Sequence, residues 1–143
     1  MVVVASGAFW MGSPAEEVGR FDDETRHRVR ITRPFRIAKT PVIQELYEAV
    51  MGRNPSHRLD PRHPAEHVSW TDALTFCNAL SDLEGRRSAY IFSWDSVVWD
   101  ESADGYRLPT EAEWEFAARN GDEHPHAGSG EIDDLGWTSG NAD

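Results

Sequence analysis

The chain has 143 residues, a formal charge of −11 and one cysteine, which is enough length for one domain with a sizeable buried core. The charge repels phosphate backbones and anionic bilayers, so neither a nucleic acid nor a membrane is an expected partner, and one cysteine excludes an internal disulfide or a two-cysteine redox or zinc site. The opening Met1-Val-Val-Val-Ala5 has no basic start and too short an apolar run for a signal peptide or a span, so the expected location is cytoplasmic.

Val2 to Met11 reads as one strand entering a turn at Gly12, and Ser13 to Thr25, with Pro14, Gly19 and Asp22-Asp23, reads as an exposed acidic loop. In Arg26 to Ile31 the residues Arg26, Arg28 and Arg30 alternate with His27, Val29 and Ile31, the pattern of a strand with one polar face. A second short strand, Phe35 to Ala38, follows Arg33-Pro34. A helix is predicted from Pro41 or Val42 to Met51, with Thr40 as N-cap, Gly52 as stop and an apolar face of Leu46, Tyr47, Val50 and Met51. Asn54-Pro55-Ser56 then turns the chain into a proline-stiffened loop, Arg58 to Ala65.

Ser69 caps a second predicted helix with Asp72 at its third position. Trp70, Ala73, Phe76, Cys77, Leu80 and Leu83 form its stripe, and Gly85 ends it. Cys77 lies within that stripe, so it reads as a small buried hydrophobe rather than a reactive thiol. Ala89 to Asp100 predicts a hairpin built on Tyr90, Phe92, Trp94 and Val97-Val98-Trp99. Asp104-Gly105 turns into a third helix. Pro109 blocks any helix from upstream, Thr110-Glu-Ala-Glu113 forms a capping box, and the helix runs from Glu111, with Glu111, Glu113 and Glu115 near its positive end and Arg119 near its negative end. Trp114, Ala117 and Ala118 share one face, an aromatic wedge beside two small residues, and Asn120-Gly121 offers the stop.

The run Arg107-Leu-Pro-Thr-Glu-Ala-Glu-Trp-Glu-Phe-Ala-Ala-Arg119 resembles the signature of the formylglycine-generating enzyme, or sulfatase-modifying factor, family, a variant of the C-type-lectin-like fold. The resemblance marks Arg107, Pro109, Thr110, Glu111, Glu113, Trp114 and Arg119 as structural signature residues. It extends from Val4 to Asn141, through the Met11-Gly12 bend, the segments His63-Pro64 and Val68 to Ala73, and Gly128-Ser129, Asp133-Asp134, Trp137 and Asn141. The family usually has a Thr where this chain has Ile43. The implied fold is α+β and irregular, with about three helices and short antiparallel strands. It is incomplete, because the family domain continues beyond the segments matched here and residues 1–143 correspond to its first half.

Several residue groups bear on chemistry. His63-Pro-Ala-Glu-His67 has the spacing of a helical metal pair, but Pro64 argues against a helix through both histidines. His124-Pro-His126 has no third ligand at a telling distance. The resemblance implies a calcium site, to which Glu131, Asp133, Asp134, Asn141 and Asp143 offer oxygen ligands, the alternative being solvated acids. It also implies a Cu(I) site on two cysteines from the domain's second half, or an iron site on histidines shared with another domain, and the chain supports neither copper nor iron.

Two functions compete: the leading half of a formylglycine-generating type of domain, inactive alone, and a non-catalytic lectin-like domain that binds a protein or another ligand. A half-domain leaves a sheet edge and apolar surface uncovered, so the expected partners are the second half, another protein or a second copy of the chain.

Overall fold

A computed structural model describes residues 1–119. They fall into two compact units, one containing Met1–Ile37 and the chain from Pro109, the other Ala38–Leu108. No helix of the described residues is long and apolar enough to cross a membrane.

The first unit holds two antiparallel ribbons. β1 (Val2–Val4) pairs with β4 (Phe35–Ile37), and β2 (Gly7–Met11) pairs with β3 (His27–Ile31). The expected single opening strand is therefore two, broken at Ala5-Ser6, and each piece takes a different partner. Alternation then sorts β2 and β3 into two faces. Ala8 and Trp10 lie opposite Arg30 and Arg28 on the exposed face, while Gly7 and Phe9 lie opposite the more buried Ile31 and Val29. α3 (Glu111–Arg119) packs on this second face. The Phe9 and Phe116 rings are 5.2 Å apart, and a Cβ at Gly7 would come within 2.8 Å of the Phe116 ring.

The α3 capping box forms as the sequence predicts. The Thr110 N–H donates to Glu113 Oε2 at 2.9 Å and the Glu113 N–H to Thr110 Oγ1 at 3.2 Å. The aromatic wedge is different from the one expected. Trp114 is 59 % exposed, and Phe116, two residues on, carries the ring contact with the sheet. The predicted stop at Asn120-Gly121 lies outside the described residues.

The second unit contains α1 (Gln44–Met51), α2 (Trp70–Leu83) and a hairpin of β5 (Tyr90–Phe92) and β6 (Val97–Trp99). α1 starts later than predicted. Thr40 and Pro41 stay outside it, and Ile43, at the N-cap, offers no side-chain oxygen. Loop carbonyls do the capping instead: the Gln44 N–H donates to His63 O at 2.9 Å and the Glu45 N–H to Pro61 O at 3.0 Å. Gly52 ends the helix as expected, at φ 69°.

α2 has its predicted capping box, with Ser69 Oγ accepting from the Asp72 N–H at 3.1 Å. Tyr47 of α1 stacks on Phe76 of α2 with ring centroids 5.4 Å apart. The buried stripes differ in part from those expected. On α1, Gln44 is buried and Leu46 exposed; on α2, Leu74 and Ser81 are fully buried while Trp70 and Leu83 are exposed. The first and last apolar positions of α2 thus face water, and two polar side chains, Gln44 and Ser81, occupy the interior.

Candidate functional site

Three polar frames hold the Met11-Gly12 bend, the start of the signature stretch and the loop after α1. In the first unit the signature helix grips the Met11-Gly12 bend. Gly12 has φ +85°, and a Cβ there would meet the carbonyl oxygens of Glu24 and Thr25 at 2.9 Å. Glu115 Oε1 accepts the Gly12 N–H at 3.0 Å, and Arg119 donates to the Gly12 carbonyl at 3.1 Å. The two side chains are paired to each other at 2.8 Å, glutamate one turn before arginine, the favourable order on a helix. Across the same bend Ser13 Oγ donates to Glu24 Oε2 at 2.7 Å and the Ser13 N–H to Glu24 O at 3.0 Å.

In the second unit, α2 positions the first residues of the signature. Ser81, fully buried, donates to the Cys77 carbonyl at 2.7 Å and accepts the Tyr106 N–H at 2.8 Å. Gly105 passes so close to Ser81 and the Arg87 carbonyl that no side chain fits there. Asn78 pairs with the backbone of Tyr90 through both ends of its amide, at 2.6 and 3.1 Å, and Tyr90 Oη accepts the Leu108 N–H at 2.9 Å. Arg107 donates to the Leu108 carbonyl at 2.9 Å and stacks over Trp99 at 5.0 Å. Tyr106 Oη donates to Glu84, whose carboxyl that bond holds below the usual carboxylate range, with Arg86 adding to the effect.

The loop between α1 and α2 is organised by Gln44. Its amide nitrogen donates to Arg58 O at 2.8 Å and Pro64 O at 3.3 Å, and its oxygen accepts from Asn54 Nδ2 at 2.9 Å and the Asp60 N–H at 3.1 Å. Glu66 completes the weave. One of its oxygens accepts the Arg58 and His57 N–H groups, and those bonds hold its carboxyl below the usual range. Pro64 and its neighbours are loop, as predicted, and His67 sits in the left-handed region at φ 56°. His63 Nε2 lies 3.7 Å from Asp60 Oδ2, and the His67 ring lies 6.2 Å from that of His57.

Cys77 is buried on α2, and burial pushes its thiol up to about 11. It is the small interior residue that its place in the stripe predicts. Among the described residues no three His, Cys, Asp or Glu side chains converge to hold a metal ion. The oxygen set offered for calcium, Glu131, Asp133, Asp134, Asn141 and Asp143, lies outside the described residues, as do His124 and His126.

Of the signature residues, Thr110 and Glu113 form the cap, Arg119 joins the Gly12 clamp, Arg107 packs on Trp99, Pro109 precedes the helix, and Glu111 opens it. The polar residues Gln44, Asn54, Glu66, Asn78, Ser81 and Glu115 also hold these frames. Sequence reasoning passed over their roles. A polar residue inside an apolar helical stripe, as at Gln44 and Ser81, is the signal that points to them.

The whole of residues 1–142 matches the sulfatase-modifying factor enzyme 1-like domain. The chain belongs to this family. A chaperone protein, LppX, of Paenibacillus barcinonensis is 36 % identical over 121 residues, 72 % of this chain and 43 % of that protein. The formylglycine-generating enzyme of Bos taurus is 38 % identical over 61 residues, 43 % of this chain and 10 % of the enzyme. Among solved structures, variable protein 1 of Treponema denticola aligns with a TM-score of 0.79 at 29 % identity, covering 93 % of this chain and 57 % of that one. The chain therefore spans about half, or less, of the length of these relatives. The three helices and short antiparallel strands of the described residues are those of the formylglycine-generating-enzyme fold.

Proposed function

We propose that this chain contributes a structural and polypeptide-binding part of a sulfatase-modifying-factor domain and does not by itself oxidise cysteine to formylglycine. One observation carries the reading: the single thiol is buried in α2, and that burial pushes it up to about 11. A Cu(I) centre takes soft, deprotonated sulfur ligands. The two-thiolate copper site implied by the family resemblance does not fit a chain whose one cysteine is buried among apolar side chains of a helix. What the signature residues supply is rigidity: a capped helix, a clamped glycine bend and an arginine stacked on a tryptophan.

The test is incubation of the 143-residue protein with a sulfatase-type cysteine peptide and Cu(I), read by mass spectrometry for formylglycine. The expected result is no product above a Cys77→Ala control. Product that depends on Cys77 would overturn the proposal.

The binding part of the reading is favoured by the β5–β6 hairpin, which leaves Ile91, Phe92, Trp94, Val98 and Trp99 exposed. The name of the LppX relative, a chaperone protein, supports a role in holding another polypeptide.

A further inference from the structure

The outward face of the β2–β3 ribbon is basic on a chain whose formal charge is −11. Arg28 and Arg30 are exposed on one face of β3, two residues apart, directly opposite Trp10 and Ala8 of β2. Among the described residues neither arginine takes part in an ion pair. Trp10, 48 % exposed, lies beside them with the Arg26 guanidinium 5.4 Å from its ring.

Residues two apart on one strand face are separated by about 7 Å, the same repeat that an extended peptide presents on one of its sides. Each guanidinium offers a planar fork that matches a carboxylate in two parallel hydrogen bonds. We propose that this face binds an extended acidic segment of a partner polypeptide, with carboxylates at alternate positions on Arg28 and Arg30 and an apolar or aromatic residue against Trp10. Recognition of an acidic motif by an arginine cluster has the same logic.

The surroundings favour a short acidic peptide over a nucleic acid. The loop that joins β2 to β3 at this end of the ribbon carries Glu16, Glu17, Asp22, Asp23 and Glu24. A long polyanion extends beyond the two arginines over a chain of formal charge −11, whereas a short segment needs only the two carboxylates that Arg28 and Arg30 would pair. The inference stands apart from the absence of oxidase activity, since it rests on the ribbon and not on Cys77.

The experiment is fluorescence anisotropy of a labelled hexaglutamate peptide titrated with the 143-residue protein at low and physiological salt. Binding that weakens with salt is expected, with a loss of about tenfold or more in Arg28→Gln/Arg30→Gln and no change in Arg62→Gln, which removes a cation from the loop after α1. Arg28→Lys/Arg30→Lys, which keeps the charge but not the fork, should fall between wild type and the glutamine variant. Unchanged thermal unfolding of the variants ties the loss to the surface rather than to folding. Three results overturn the proposal: hexaglutamate binding no tighter than hexaserine, an equal loss in Arg62→Gln, or tighter binding of a single-stranded oligonucleotide than of hexaglutamate at the same salt.

Discussion

Glu115 and Arg119, 2.8 Å apart and one turn apart on α3, hold the N–H and the C=O of Gly12 between them. The clamp explains why a helix at one end of the described chain and a glycine bend at the other belong together. Gly12 needs a left-handed backbone that other residues rarely adopt, and the helix supplies one acceptor and one donor to the two backbone groups that this turn leaves unpaired.

Gly12→Ala should therefore destabilise the protein by about 2 kcal/mol or more, from the left-handed backbone and the collision of Cβ with the Glu24 and Thr25 carbonyls. Glu115→Ala should cost about 1–3 kcal/mol by leaving the Gly12 N–H without its acceptor. Urea denaturation checks both. A Gly12→Ala midpoint equal to that of the wild type would show that the bend is not held as described.

Much of this frame was legible in the sequence, and the parts that were not share a cause. The capping boxes at Ser69 and Thr110, the stops at Gly52 and Gly85 and the hairpin over Ala89–Asp100 are local signals, complete within a few residues. The start of α1 failed because its donors are capped by Pro61 and His63 carbonyls from a loop, which no local pattern announces. Trp114 is exposed although periodicity puts it on the predicted face, because periodicity identifies a face without identifying what covers it, and Phe116 makes the contact with Phe9 and Gly7. The breaks at Ala5-Ser6 and the roles of Asn78 and Ser81 depend likewise on partners distant in sequence.

Gln44 gives a sharper test of long-range order. An amide has two donors and two acceptor sites, and all four are used here by a side chain only 1 % exposed. Gln44→Leu should cost about 3–4 kcal/mol, because it strands the Asp60 N–H, the Asn54 amide and two carbonyls. Gln44→Glu points a carboxylate at the Arg58 and Pro64 carbonyls, which favours its protonated form in the fold. The group's folded value is raised, so the stabilising form is present at low pH and lost as pH rises. This variant should regain stability relative to wild type between pH 7 and pH 4, measured by chemical denaturation. Equal pH dependence in the two proteins would contradict the hydrogen-bond assignment.

Cys77 predicts a different pH effect. Burial raises its thiol from 9.0 to about 11, so the folded state keeps a proton that the unfolded state releases. The resulting stability is fully present below pH 9 and is lost as pH rises from 9 to 11, by up to about 2 kcal/mol. Tyr47 and Tyr90 are raised by burial too, so the measurement is the difference between wild type and Cys77→Ala across that window. Iodoacetamide at pH 8 should alkylate the native protein at least about a hundredfold more slowly than the urea-unfolded chain. Comparable rates would place the thiol at the surface.

The β5–β6 hairpin carries the last prediction. Its strands pair in register from Tyr90 opposite Trp99 to Phe92 opposite Val97, with a turn closed by the Ser93 N–H on the Ser96 carbonyl at 2.8 Å. One face of such a ribbon is expected to be polar where it meets water, yet Ile91 and Val98 are opposite each other and more than half exposed, and Trp94 at the turn is fully exposed. A β-branched cross-strand pair with an adjacent indole is an adhesive surface, and it lies on a ribbon that pairs with no third strand among the described residues. The purified chain should therefore self-associate in a concentration-dependent way and bind a hydrophobic dye. Ile91→Thr/Val98→Thr with Trp94→Ser should abolish both while leaving the Asn78 amide paired with Tyr90, which can be followed by the unfolding midpoint. Light scattering that finds the wild type monomeric at 100-fold different concentrations, or dye binding equal in the triple variant, would show that this hairpin is not the adhesive face.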